Sequence, residues 1–212
     1  MYELDLPEML QERTKIIAGL PDSYDMKRFE VPCDFTQDNL ANIILKTESF
    51  DPKKNTIFIY EGCSMYFDEP TNRRILTELK SLMQNERSTL WVDLVSQHVV
   101  DGITGEPGVV NFLNAMNDLG EKFVFGHNDP NSFLKSVGFD STQTISTADT
   151  FNLEQTEISD SVYQHYRYSI AAISNSNLQY KTTESQKGTI SEVKISSPRI
   201  IKSKRNESTR NG

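Results

Sequence analysis

The chain alternates short apolar runs with amphipathic stretches, a pattern that predicts strands alternating with helices. Residues 2–6, 28–33, 57–60 and 88–95 have the length and apolar content of strands, and apolar residues at helical spacing follow each of them. Two more strand-like segments, 139–147 and 163–173, come last. This order predicts an α/β fold, with a doubly wound parallel sheet, right-handed crossovers and an antiparallel edge.

The most informative stretch is residues 56–70, which read TIFIYEGCSMYFDEP. Its first half is apolar on both faces, which is typical of a central strand covered by helices. The strand ends at Glu61 and Gly62, and Tyr66 follows shortly after. Because the carboxyl ends of parallel strands border the ligand crevice of an open α/β sheet, these residues are candidates for binding a small molecule. The same pattern is also explained if Glu61 ends the strand and its side chain points into solvent without binding a ligand.

Acidic residues also stand at the ends of the first two predicted strands. Glu3 and Asp5 share one face of the first, and nucleotide folds use an acid at such a position to accept hydrogen bonds from ribose hydroxyls. A terminal acidic pair is also common on solvated surfaces. Asp34 and Phe35 follow the next strand and suit an adenine amino group and a purine face, although Asp is equally at home in a turn. We expect Asp38 to cap the helix that follows.

Composition and charge narrow the class of protein. The 212 residues carry a formal charge of -8, which argues against a nucleic-acid partner. Residues 175–212 hold eight Lys or Arg against three Glu, so the preceding body is near -13 and the polar tail is basic. Cys33 and Cys63 have no metal-site spacing, and with no secretory signal they predict reduced thiols in a cytoplasmic protein. No apolar run approaches the length that spans a membrane.

Several common catalytic and binding motifs are absent from the sequence. There is no phosphate-binding loop, no nucleophile elbow and no HExxH motif, so we expect no metal. The three glycines of residues 101–108 do not follow a strand into a helix and are predicted to form a loop. The histidines are isolated, and each is better explained as a surface or packing residue than as a ligand; they are His98, His127 and His165.

Five segments together resemble the leucine carboxyl methyltransferase family, whose members use S-adenosylmethionine. In order they are YELDLP (2–7), Asp34-Phe35, YEGCSMYF (60–67), Phe125-Gly126, and Phe133-Leu134 before Gly138-Phe139. No single segment is decisive, but their order and separation make the similarity specific, and it runs from residue 1 to about 173. The resemblance implies a Rossmann-like class I methyltransferase sheet with helices on both faces and an antiparallel last strand.

The resemblance also implies roles for individual residues. Asp5 matches the family acid that holds the ribose hydroxyls, with Glu3 as second choice. Asp34-Phe35 matches an Asp-Leu pair beside the adenine, where Phe keeps an apolar cover of a different shape. Glu61 matches a glutamate near the methionine part of the cofactor. Tyr66 matches a tyrosine on the substrate side and is the candidate catalytic residue. The cofactor implied is S-adenosyl-L-methionine.

In the family, a first strand and its glycine-rich loop precede the segment that matches Tyr2. We find no counterpart here, and we expect residues 1–174 to form a partial methyltransferase domain and residues 175–212 a polar basic tail without fixed structure. Since the first strand lies between the second and fourth in that sheet, its absence would leave those two strands without a common neighbour and with unpaired backbone groups.

The resemblance implies O-methylation of a small-molecule or protein C-terminal carboxylate, or of another oxygen acceptor, with no nucleic-acid or membrane partner. A carboxylate acceptor is already anionic and needs no base, whereas a phenol or alcohol would need one, with Asp93 or His98 as the nearest candidates. A non-catalytic relic or binding module that keeps part of the sheet is the alternative. An NAD-type dehydrogenase shares the ribose-binding acid but lacks a catalytic base pattern here.

Overall fold

The computed structural model describes residues 1–19, 27–151 and 159–174. The strands are β1 (Tyr2–Asp5), β2 (Phe29–Pro32), β3 (Ile57–Tyr60), β4 (Thr89–Val95), β5 (Ser141–Ser146) and β6 (Tyr166–Ala172). The helices are α1 (Pro7–Ala18), α2 (Leu40–Leu45), α3 (Glu69–Leu82), α4 (Gln97–Val100), α5 (Pro107–Asp118), α6 (Pro130–Val137) and α7 (Thr147–Phe151). Two 3₁₀ turns span Ser64–Tyr66 and Val162–His165. The predicted basic tail lies outside the described residues.

The described strands form two separate sheets. β1 and β2 make a parallel pair, and the other sheet has the order β3-β4-β6-β5. β3 and β4 are parallel, whereas β6 runs antiparallel to both of its neighbours. The alternating α/β order and the antiparallel end of the sheet are therefore confirmed. β3 is not a central strand, because it lies at an edge of its sheet, and that part of the prediction was wrong.

Helices cover both faces of the larger sheet. One apolar core packs α2, α3 and α6 against the face that carries Phe58, Val92 and Leu94. A second core gathers residues of α4 and α5 around Val95 and Tyr166 on the opposite face. Side chains along β4 alternate between these two faces. Apolar burial therefore holds the helices against both faces of the sheet.

Part of the second face is left uncovered. The burial of β3 alternates, with Phe58 and Tyr60 buried and the two isoleucines open to solvent. Ile57 and Ile59 are 70% and 71% exposed, and Trp91, beside Ile59 on β4, is only half-buried. The apolar composition that suggested burial on both faces is present, but nothing among the described residues covers this side of β3.

The helix ends show which local signals were read correctly. Pro7 begins α1, and Asp129 caps α6, which ends at Gly138 in a left-handed conformation, in agreement with the local rules for a first-turn proline, an acidic cap and a terminal glycine. The cap of α2 was predicted wrongly. Asn39, not Asp38, accepts from the Asn42 amide at 2.8 Å, because the Asp38 carboxylate is already bonded to the backbone amide of Asp34.

No helix in the described part of the chain is both long enough and apolar enough to span a bilayer.

Candidate functional site

A cavity of about 750 Å³ lies between the two sheets and is lined by both β1 and β3. Three of the predicted site residues, Glu3, Phe35 and Glu61, are part of its wall, together with Cys63. The cavity therefore brings together residues from the ends or edges of three strands. Asp5, Asp34 and Tyr66 lie outside its lining.

Asp5 occupies the last position of β1, close to the end of β3. Its carboxylate accepts a hydrogen bond from the Leu6 amide at 2.8 Å, and its backbone carbonyl accepts from Cys33 at 2.9 Å, which ties it to the end of β2. Burial, and then the charges of Asp93 and Asp5, raise the pKa of the Cys63 thiol to about 11. Asp5 is thus within electrostatic range of the loop that follows Glu61.

Glu3 has a different environment, although it lies on the same strand. Its side chain is buried, and its two carboxylate oxygens lie 2.9 Å from Arg13 and 2.8 Å from Arg28. A buried carboxylate held by two guanidinium groups links α1 and the entry to β2 to the strand. Of the two acids on β1, Asp5 is therefore the one with fewer charged partners.

Asp34 organises the turn after β2. Its carboxylate accepts hydrogen bonds from the Thr36 amide at 2.8 Å, the Thr36 hydroxyl at 2.6 Å and the Gln37 amide group at 2.9 Å. These bonds lower the pKa of Asp34 below its usual range. The neighbouring Phe35 packs edge-on against Phe67, with ring centroids 6.2 Å apart, so the turn holds an aromatic ring at the cavity wall.

Asp93 is a second buried acid, and it lies outside the cavity lining. It lies on β4 with 3% exposure, and its carboxylate accepts a hydrogen bond from the Gly62 amide at 3.0 Å. Burial is the main cause that raises its pKa to about 6; the Gly62 bond opposes this rise and the charge of Glu61 adds to it. The Asp93 carbonyl also accepts from the Ser64 hydroxyl at 2.7 Å. Asp93 therefore fixes the loop after β3 while keeping a carboxyl group that titrates near neutrality.

Asn72 also holds this loop, and the sequence analysis missed it. Its side chain is fully buried, accepts from the Tyr60 hydroxyl at 2.8 Å and donates to the carbonyls of Ser64 and Phe67, each at 2.8 Å. The available signal was its spacing, since residue 72 continues the apolar stripe of α3 one turn before Ile75. A polar residue in such a stripe needs buried partners.

Tyr66 ends the 3₁₀ turn and faces the second core. Its ring packs edge-on against Phe123 with centroids 5.6 Å apart. Burial and then the charge of Glu121, followed by Cys63 and Asp93, raise the pKa of the Tyr66 hydroxyl. The phenol is therefore neutral at pH 7 and able to donate a hydrogen bond.

The histidines lie in ordinary packing or surface positions. His98 is exposed, His127 packs on the Phe133 ring, and His165 lies 2.7 Å from the Glu106 carboxylate. Among the residues that the structure describes, no three His, Cys, Asp or Glu side chains are grouped closely enough to hold a metal ion. Both cysteines are free thiols.

Carboxylates and an aromatic ring near the carboxyl ends of strands, beside a cavity, are compatible with a ligand crevice in an α/β fold. A comparison with known protein families finds a match to part of the chain. Residues 1–80 match the leucine carboxyl methyltransferase family. The matched segment contains β1, β2, β3 and most of α3, and it includes Asp5, Asp34, Glu61 and Tyr66. The resemblance inferred from the sequence is confirmed over this range.

Solved structures, methyltransferases among them, are similar to this chain. A putative methyltransferase from Thermobifida fusca matches 81% of this chain with a TM-score of 0.56 at 13% identity, and 62% of its own length is covered. A DUF574 family protein from Streptomyces avermitilis matches 81% with a TM-score of 0.54 at 8% identity, with 64% of its length covered. Human N-acetylserotonin methyltransferase, solved in complex with SAM, matches 81% at 14% identity, with a TM-score of 0.46 and 39% of its length covered. The chain therefore spans less than two thirds of each of these proteins. The Rossmann-like class I methyltransferase architecture is confirmed.

Proposed function

We propose that this chain carries the cofactor-binding part of an S-adenosylmethionine-dependent O-methyltransferase that acts on a carboxylate or another oxygen acceptor. One observation supports the proposal above all. The segment that matches the family, residues 1–80, contains the acids at the ends of β1 and β3, Asp5 and Glu61. In this proposal the acceptor is neither nucleic acid nor lipid, because the chain carries a formal charge of -8.

We assign the ribose hydroxyls of the cofactor to Asp5. Its carboxylate ends β1, has acceptor capacity beyond its bond to Leu6, and lies near the loop after β3. Glu3 would support this position through its pairs with Arg13 and Arg28, and a direct contact with the cofactor is the second choice. Glu61, exposed at the end of β3 and lining the cavity, is assigned to the methionine part.

Asp34 and Phe35 are assigned to the adenine. Asp34 shapes the turn through its bonds to Thr36 and Gln37, and Phe35 supplies an apolar surface at the cavity wall. A carboxylate oxygen can accept more than one hydrogen bond, so the bonds within the turn are compatible with a further donor from a purine. The carboxylate acceptors and the apolar wall fit an adenosyl group.

The bound cofactor supplies a methyl group on a sulfonium, which is already activated for transfer. The protein then has to align the acceptor oxygen and exclude water. Tyr66, neutral and half-buried, is assigned to hold the acceptor through its hydroxyl. Asp93 has a pKa near that of a base working at neutral pH and would accept the proton of a phenol or alcohol. A carboxylate acceptor would not need this step.

Titration calorimetry of the full chain with S-adenosylhomocysteine tests the proposal. We expect binding, and we expect Asp5→Ala to weaken it by about 5- to 150-fold, the loss of roughly 1–3 kcal/mol for a hydrogen bond to a charged group. Asp34→Ala should also weaken it, and Asp118→Ala, an exposed change at the end of α5, should leave it unaltered. Equal affinity in the wild-type chain and in both site variants would refute the assignment.

A non-catalytic binding module is the second candidate. It is favoured by the separation of the sheet into two parts, which leaves the cavity without a strand between β1 and β3 among the described residues. The same separation supports the proposal that residues 1–174 are a partial methyltransferase domain. Tight binding of S-adenosylhomocysteine would count against the binding module, and failure to bind under conditions where the chain is folded would favour it.

A further inference from the structure

An arginine of α3 holds the turn that follows β2. The Arg74 guanidinium donates a hydrogen bond to the Asp38 carbonyl at 2.7 Å through Nη1, and another to the Phe35 carbonyl through Nη2. A planar guanidinium presents its donors in a rigid arrangement, so it fixes two acceptors relative to each other. Arg74 therefore fixes both ends of the segment from Phe35 to Asp38.

The hydrogen bonds inside this turn fix its shape and leave those two carbonyls to Arg74. The Asp34 carboxylate and carbonyl accept from the backbone amides of residues 36–38, and the Asp38 carboxylate accepts from the Asp34 amide at 2.8 Å. None of these bonds uses the carbonyl of Phe35 or of Asp38. Bonds within a turn do not determine where the turn stands against its neighbours, so its attachment to α3 comes from Arg74.

Glu78 keeps the Arg74 guanidinium in place. It lies one turn further along α3, and its Oε1 is 3.1 Å from Arg74 Nη1. The Glu78 side chain is only 10% exposed, and its Oε2 accepts from the Ala41 amide, in the first turn of α2, at 3.5 Å. A buried carboxylate needs such partners. The pair of Arg74 and Glu78 thus ties α3 to the whole connection between β2 and α2.

The same helix also holds the loop that follows β3. Asn72 donates to the carbonyls of Ser64 and Phe67, each at 2.8 Å. The Phe67 ring packs edge-on against the Phe35 ring, so the two segments are in contact. Asn72 and Arg74 belong to one rigid helix, and together they set the relative position of the two segments that border the cavity.

We propose that Arg74 is a positioning residue for the adenine of the cofactor. Through the carbonyls of Phe35 and Asp38 it sets where the Phe35 ring and the Asp34 carboxylate stand at the cavity. This inference rests on the proposed function, which assigns Asp34 and Phe35 to the adenine. Arg74 does not line the cavity, so it acts through the turn and does not touch the cofactor.

Two ligands that differ in one group provide the test. They are S-adenosylhomocysteine and its desamino analogue, in which hydrogen replaces the exocyclic amino group of the purine. A correctly placed carboxylate distinguishes the two, because only the first has the amino group that it would bind. Each is titrated into the full chain by calorimetry, and we expect the wild-type chain to bind the first more tightly. The ratio of the two dissociation constants reports the placement of Asp34, whereas a general loss of stability weakens both ligands alike.

Three variants separate positioning from stability. Arg74→Met should lower this ratio about fivefold or more, because the turn loses both bonds to α3. Arg74→Lys keeps a positive charge beside Glu78 without the fixed pair of donors, so it should fold and give an intermediate ratio. Arg73→Met is the matched control. Arg73, the preceding residue of α3, bonds to Glu69 and Ser136 and not to the turn, so the ratio should not change.

Hydrogen exchange in the chain without ligand gives a second measurement. Arg74→Met should speed exchange of the backbone amides of residues 36–38, because the turn then opens more often. Arg73→Met should leave their exchange unaltered. This measurement does not depend on the proposed function, since no cofactor is present.

Three results would overturn the proposal. Unchanged exchange of residues 36–38 in Arg74→Met, or the same change in Arg73→Met, would show that Arg74 does not hold the turn. If the wild-type chain binds S-adenosylhomocysteine, then equal affinity for the two ligands, or an equal ratio in the wild type and Arg74→Met, removes the role of Arg74 and leaves the proposed function in place. If the folded wild-type chain does not bind S-adenosylhomocysteine, both the proposed function and this inference fail.

Discussion

At the scale of single residues, the site depends on how each acid is surrounded. Asp5, Asp34, Glu61 and Asp93 are all carboxylates near strand ends, but their partners differ. Asp34 is held by three hydrogen bonds within its own turn, whereas Asp93 is buried with the Gly62 amide as a partner. The pKa of Asp34 is lowered and that of Asp93 is raised to about 6. The residue type alone predicts neither the decrease in the pKa of Asp34 nor the increase in the pKa of Asp93.

The buried Asp93 makes stability depend on pH. Its pKa is higher in the folded than in the unfolded chain, so the folded state takes up a proton first as the pH falls. Ionised Asp93 therefore destabilises the fold above about pH 6, and this destabilisation disappears between about pH 6 and pH 4. We expect Asp93→Asn, which keeps an oxygen to accept from Gly62, to stabilise the chain by roughly 2 kcal/mol at pH 7.5 and by little at pH 4.5.

Urea unfolding at the two pH values measures this effect. Asp118→Asn, at an exposed carboxylate, is the matched control and should change stability little at either pH. A stabilisation by Asp93→Asn that is the same at pH 4.5 as at pH 7.5 would contradict the assigned protonation.

At the scale of elements, the loop between β3 and α3 is held by a buried polar network. Asn72 of α3 joins the end of β3, through Tyr60, to the carbonyls of Ser64 and Phe67. Asp93 of β4 holds the same loop from the other side, through Gly62 and Ser64. Glu61, Cys63 and Tyr66 are thereby positioned by two neighbouring elements.

Removing this network should be costly. Asn72→Ala would leave the Tyr60 hydroxyl and the loop carbonyls without their partner, and we expect a loss of roughly 3 kcal/mol in the free energy of unfolding. Thr77→Ala, on the exposed side of the same helix, removes only a bond to the Arg73 carbonyl and should cost much less. Urea titrations of both variants give the comparison. Similar losses in the two would show that the network adds no particular stability.

The elements themselves were predictable from the sequence to a large extent. Strand positions, the Pro7 and Asp129 helix starts and the Gly138 end follow from local rules on spacing, caps and turns. The short α4 and α7 and the 3₁₀ turns were missed, because a few residues carry no clear period. The cap of α2 was misassigned because the Asp38 carboxylate accepts a hydrogen bond from the Asp34 amide. The spacing of residues in the sequence does not show which of two possible partners a carboxylate binds. Likewise, the apolar residues of β3 do not show whether another helix or strand covers them.

At the scale of the whole molecule, the dominant feature is the division into two sheets. The pair of β1 and β2 is connected to the larger sheet through side-chain packing, with Leu4, Cys33 and Phe35 in the same apolar cluster as Phe58 and Leu90. A two-stranded ladder is marginally stable by itself, so its stability comes from this packing. The residues placed at the candidate site could be predicted as a set, but their separation across a cavity could not, because it depends on which strands are paired.

We expect the two sheets to open with different free energies. Backbone amides of β1 and β2 should exchange with solvent through a partial opening, whereas those of β4, which is paired on both sides and buried, should exchange only on more extensive unfolding. Native-state hydrogen exchange as a function of urea separates these events. A single opening free energy shared by β1, β2 and β4 would contradict the expectation.

The absence of a hydrogen-bonded ladder between β1 and β3 among the described strands also determines how a ligand would change the stability of the chain. Where strands are hydrogen-bonded, their separation is fixed near 4.8 Å, but no ladder joins β1 to β3 among the described residues, and the two sheets are held by side-chain packing. A small molecule that touches both Asp5 and Glu61 would link the two sheets directly. Such a ligand would raise the unfolding temperature of the β1–β2 pair most. The pair would then unfold together with the larger sheet.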